Sequence, residues 1–107
     1  MPKSKNEERT LWSTSNAGMI IGKTPVGGTL TLTNKRLTFE PNSINQLFRP
    51  SMRDMLWELQ LDQIKEVLPT DILGMPLGIK IESKWGESFT LNVWGRDNWI
   101  NLINQNL

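Results

Sequence analysis

Cysteine, histidine and tyrosine are all missing from these 107 residues. Without cysteine there is no disulfide and no thiol nucleophile. Without histidine as well, zinc sites of the usual type, haem ligation and imidazole acid–base chemistry are excluded. Only carboxylates, hydroxyls, lysines and arginines remain for chemistry, so most enzyme mechanisms fall away, and no metal or cofactor is expected. Long apolar runs are missing too, since no stretch approaches the roughly 20 residues of a membrane span. Met1 to Thr10 is polar and charged with no apolar run behind it, so no secretory signal is read there, and a cysteine-free domain of this size fits the cytoplasm. Strong net charge is absent as well: 12 Lys+Arg stand against 11 Asp+Glu, and a pI near 8.1 is not the basic footprint of a nucleic-acid binder.

What is present is one domain's length of chain with 37% apolar residues, enough to bury a core. Residues 1–9 are expected to be a flexible tail and 10–107 the domain. The charge is unevenly spread. Residues 23–53 hold Lys23, Lys35, Arg36, Arg49 and Arg53 against Glu40, whereas residues 54–71 hold Asp54, Glu58, Asp62, Glu66 and Asp71 against Lys65. Such a partition either makes one pole attractive to anionic lipid or is paired off between adjacent strands.

Periodicity sets the fold class. Leu30 and Leu32 alternate with threonines, Asn34-Lys35 interrupts, and Leu37 and Phe39 resume the alternation, which reads as a hairpin. Before it, Met19–Ile21 between Gly18 and Gly22 reads as a first strand, and residues 23–28 as a loop. Met55, Trp57, Leu59 and Leu61 alternate next, with Leu56 out of phase. Asp62-Gln63 turns the chain into a short strand, Ile64 to Leu68, ended by Pro69, which cannot donate to a ladder. Leu77 to Ser83 and Ser88 to Trp94 form a further hairpin about a Lys84-Trp85-Gly86-Glu87 turn. After Gly95 the period changes: Asp97 suits a helix start, and Trp99, Ile103 and Leu107 recur every four residues with Ile100 and Leu102 beside them. About seven antiparallel strands and one amphipathic C-terminal helix predict a small curled β-sandwich or barrel closed at one end by that helix. Trp57 and Trp99 are expected in its core.

The segment Gly28-Thr-Leu-Thr-Leu-Thr-Asn-Lys-Arg-Leu-Thr-Phe39 resembles the hairpin of the GRAM domain, a branch of the pleckstrin-homology-like superfamily, with its Gly-x-Leu-x-Leu-Thr-Asn-x-Arg-Leu-x-Phe pattern. Leu59-x-Leu-Asp-Gln-Ile64, Ile79-x-Ile, Phe89-x-Leu and Arg96-x-x-Trp99 are similar to later parts of the same family in order and spacing, so the resemblance covers about residues 17–107. Two features depart from it. Thr31 stands where an aromatic residue is common, and the loop from Pro41 to Asp54 is long. The resemblance implies a pleckstrin-homology-like split barrel and a non-enzymatic binding module, and the family includes both lipid-binding and protein-binding members.

An anionic headgroup needs two or more converging cations. The first loop offers Lys23. Arg36 belongs to the hairpin motif and is expected to pair with an acidic neighbour. The loop Pro41 to Asp54 interleaves Ile44, Leu47, Phe48 and Met52 with Arg49 and Arg53, a pattern that suits an anionic bilayer surface unless the apolar residues fold back over the barrel end. Trp85, at a hairpin tip, suits a lipid or protein interface unless it lies across its own hairpin. The acids Glu58, Asp62 and Glu66 read as a solvated face rather than a catalytic group. Lys23, Arg49 and Arg53 are therefore the candidate phosphate ligands, and Leu47, Phe48 and Trp85 the candidate membrane or partner contacts. The function expected is peripheral binding of acidic membrane lipid; the alternative is a protein-interaction or self-association module without a lipid role.

Overall fold

The computed structural model describes residues 7–22, 24–42 and 56–107. Seven strands follow one another: β1 (Thr10–Ile21), β2 (Thr24–Thr33), β3 (Arg36–Pro41), β4 (Trp57–Gln60), β5 (Ile64–Ile72), β6 (Met75–Ser83) and β7 (Ser88–Val93). A 3-10 turn at Leu61–Gln63 links β4 to β5, and the helix α1 (Arg96–Gln105) closes the chain. The strands form one antiparallel sheet in the order β4-β3-β2-β1-β7-β6-β5. Its two edges, β4 and β5, are not paired with each other, so the sheet curls into a half-barrel rather than closing.

Alternation builds the core as expected. Leu30 and Leu32 of β2 stand opposite Phe39 and Leu37 of β3, and all four are fully buried together with Val26, Ile79, Ile81 and Leu91. Outward, the hydroxyl of Thr31 meets that of Ser13 at 3.0 Å. The first glycine of the hairpin motif has a steric reason: a Cβ at Gly28 would lie 2.2 Å from the Glu40 carbonyl oxygen and 2.7 Å from the Phe39 ring. Only a residue without a side chain lets β3 pass this close.

The helix fills the open side. It packs against β5 and β6, and Trp99, only 1% exposed, and Ile103 enter the core. The Trp12 ring from the start of β1 stacks on Trp99 with centroids 5.1 Å apart and planes 10° apart. Trp57 is only partly buried, packing edge-on against Phe89 at 5.1 Å, so of the two tryptophans expected in the core Trp99 is the enclosed one. Asp97 stands in the first helical turn, while Gly95 occupies the cap position. Leu107 departs from the expected apolar stripe, because the helix ends at Gln105 and Leu107 is exposed.

Several strand boundaries differ from the pattern reading, three of them by more than two residues. β1 starts at Thr10, not Met19; the β7 register covers only Ala17 to Met19, so the first half pairs with β2 alone, and in it only Leu11, against the core, and Trp12, on Trp99, make apolar contacts. Residues 24–28 are strand rather than loop, with Val26 buried. β5 continues through Pro69, which stands opposite Ile79. On an edge strand a proline removes no bond to a further neighbour.

Truncating Trp99 to alanine empties the largest buried volume between helix and sheet and should cost about 3–5 kcal/mol in denaturant unfolding. Trp12→Ala, which loses a half-exposed stacking partner, should cost about 1 kcal/mol.

Candidate functional site

Of the residues singled out from sequence, Lys23, Leu47, Phe48, Arg49 and Arg53 lie outside the described residues. The chain on either side of them is described, and it converges. β7 runs antiparallel to β1 with Leu91 opposite Met19, so the start of β7, and the β6–β7 turn before it, point toward the β1–β2 turn after Ile21. The segment after Pro41 returns at Leu56 and Trp57, and Trp57 packs on Phe89 at the start of β7. The three connections that carry Lys23, the long 41–54 loop and Trp85 therefore depart from one region of the half-barrel.

Trp85 is 53% exposed. Its indole N–H donates to Glu87 Oε1 at 2.7 Å, which fixes the ring at the tip and leaves an apolar face outward. The turn beneath it is stiff: the Glu87 N–H donates to Ser83 Oγ at 3.0 Å and the Lys84 N–H to the Gln63 carbonyl at 2.9 Å.

Arg36 is committed elsewhere. Its Nε and Nη2 donate to the two carboxylate oxygens of Glu8 at 2.9 and 3.0 Å, and its Nη1 donates to Glu58. The acidic partners expected of it are thus Glu58 on the adjacent strand and Glu8 from the N-terminal segment, and Glu58 is part of an ion pair rather than merely solvated. The described part of the expected tail, Glu7 to Arg9, is tied to the β2–β3 turn. The Arg9 N–H donates to Asn34 Oδ1 at 2.8 Å, the Asn34 N–H donates back to the Arg9 carbonyl at 3.1 Å, and Thr33 Oγ1 donates to Glu8 at 2.7 Å. Hydrogen bonds from Arg36, then from Thr33, hold the Glu8 carboxyl below the ordinary glutamate range. Those to Glu8 and then Glu58 raise Arg36 further.

Sequence reasoning passed over the β5–β6 turn. Ile72 pairs with Met75, leaving Leu73 and Gly74 as a two-residue loop with φ of +51° and +78°. Positive φ at both central residues is the pattern of the hairpin turns that favour Asn-Gly. Leucine there costs roughly 1–2 kcal/mol, and the side chain is 94% exposed, so no packing offsets the cost. Met75, two residues on, is also exposed, as is Trp94 just past the end of β7. The signal available in the sequence was the Leu73-Gly74 pair between two apolar runs, a two-residue loop with Gly second.

Among the described residues no cluster of acidic side chains is arranged to hold a metal ion, and no helix is long and apolar enough to cross a membrane.

The fold is that of a pleckstrin-homology domain. No protein-family profile and no curated protein matches the chain; solved structures do. The C-terminal domain of an unknown protein from Leishmania infantum is similar with a TM-score of 0.72 at 20% identity, over 92% of this chain and 84% of that one. The Vps36 N-terminal PH domain is similar with a TM-score of 0.69 at 15% identity, over 98% and 83%. An N-terminally truncated linker-DH/PH fragment of p115-RhoGEF gives 0.67 at 11% identity, over 94% of this chain and 29% of that chain.

Because Glu8 titrates lower in the folded than in the unfolded chain, its contribution to stability is complete above roughly pH 4.3. It is lost as the pH falls through the lower folded value. Thermal unfolding followed from pH 7 to 3 should show this acid limb, and Glu8→Gln should flatten it.

Proposed function

We propose that this chain is a GRAM-type binding module that docks peripherally on acidic membrane surfaces facing the cytoplasm. Lys23, Arg49 and Arg53 meet lipid phosphates, and Leu47, Phe48 and Trp85 supply apolar contact. The observation that carries this reading is the convergence of the chain flanking the three connections that bear those residues. Scattered around the molecule, single cations would be too weakly attracted to hold an anionic surface in salt; gathered, each adds about 1 kcal/mol near such a surface. The commitment of Arg36 to Glu8 and Glu58 also supports it, because it leaves the hairpin arginine to the fold and the phosphate contacts to the connections. The PH-type fold of the structural neighbours fits a binding module rather than a catalyst, and the chain contains no histidine or cysteine to suggest otherwise. Trp85, with its indole N–H already satisfied, is suited to the boundary between headgroups and acyl chains, where an apolar ring meets a polar edge.

Vesicle co-sedimentation tests the reading. The wild type should bind phosphatidylserine-containing vesicles and not neutral ones, more weakly as salt rises. Arg49→Glu combined with Arg53→Glu should lower the partition by about tenfold or more. No binding to any anionic vesicle at low salt contradicts the lipid role and moves the module to the protein-binding or self-associating class.

A further inference from the structure

The β5–β6 hairpin presents its most exposed apolar residue where nothing in the domain uses it. Leu73 sits at φ +51° and is 94% exposed. Asparagine would relieve the backbone, and a polar residue would cost nothing in packing. From Ile72 to Ile79 the chain reads Ile-Leu-Gly-Met-Pro-Leu-Gly-Ile, eight residues without a charge or a polar side chain. Beside this tip lies a hollow of about 340 Å³. Asp71, Ile72 and Leu73 line one side of it, Ile20 and Pro25 of the β1–β2 hairpin the other, with Thr90 between. The tip is therefore continuous with the hairpin whose turn carries Lys23.

The base of this hairpin is held. Arg96 Nη1 donates to the Thr70 carbonyl at 2.9 Å and lies 3.7 Å from the Asp71 carboxylate. That contact fastens β5 to the start of α1 and offsets the one acid near the tip. A single convex leucine with a few apolar neighbours is far below the ~1,000 Å² that a specific protein interface needs. The polar side chains beside it are few: Asp71, which faces Arg96, and Thr90. A fluid apolar phase requires neither a large interface nor polar contacts.

We propose that the β5–β6 tip is a hydrocarbon anchor: Leu73 enters the acyl region of a phospholipid bilayer, with Ile72, Ile20 and Pro25 settling at the headgroup level beside it. This rests on the membrane reading above and adds to it a salt-resistant component that the cationic connections do not supply.

The test uses the whole chain with vesicles of phosphatidylcholine and phosphatidylserine. Leu73→Asn should keep or raise the melting temperature, because Asn-Gly suits this turn, yet lower vesicle partition by about tenfold or more. Since the chain has no cysteine, Leu73→Cys takes a polarity-sensitive fluorophore at one position, and its emission should shift to the blue on adding vesicles. Wild-type binding that Leu73→Asn leaves unchanged, or a probe at residue 73 that reports water throughout, overturns the anchor while leaving the cationic site standing. Absence of vesicle binding by the wild type overturns both.

Discussion

A half-barrel whose edge strands never meet has to be sealed by something other than hydrogen bonds, and here the seal is Trp99. The sheet begins at β4 and ends at β5 without closing, so the apolar faces of seven strands would stand open to water on one side. The helix covers them by inserting Trp99 and Ile103, and Trp12 stacks over Trp99 from the far side. A ten-residue helix is too short to persist alone. Helix and sheet therefore stabilise each other.

On the proposed reading, recognition falls to the region from which the β1–β2, β3–β4 and β6–β7 connections depart, while the helix is engaged at β5 and β6. The turns there are rigid where they are described, as the bonds around Ser83 and Lys84 show. The N-terminal segment is spent in the same economical way: Glu8 occupies Arg36, which keeps the motif arginine in the fold. Function, on this account, belongs to side chains on connections and hairpin tips, and the strands only aim them.

Much of this was legible from residue order. Strict alternation at Leu30/Leu32 and Leu37/Phe39 identified the central hairpin because both faces of those strands differ in polarity. The change of period after Gly95 identified the helix and its buried tryptophan. What escaped has physical causes. The first half of β1 is mostly exposed, and its apolar contacts come from the adjacent pair Leu11 and Trp12, which do not form an alternating pattern. Pro69 looks like a terminator, but an edge strand tolerates it. The bonds that tie Glu7 to Arg9 to the β2–β3 hairpin were not legible because they join positions 25 to 28 apart in sequence. Leu73 was unremarked because an apolar residue in a strand-rich chain reads as core, and only the backbone shows that it stands on a left-handed turn in solvent. The residues that the sequence nominated as phosphate ligands were chosen by charge and by their place in loops, and the convergence of their flanking chain came from the sheet register.

Backbone hydrogen exchange of the whole chain, measured with and without phosphatidylserine-containing vesicles, tests the central claim most directly. The account predicts new protection confined to the β1–β2, β3–β4 and β6–β7 connections and the Leu73-Gly74 turn. The β2–β3 turn at Asn34 and Lys35 and the outward face of the helix should exchange as in free solution. Protection at the β2–β3 turn or along the helix, with none at the three connections and the Leu73 tip, would contradict it.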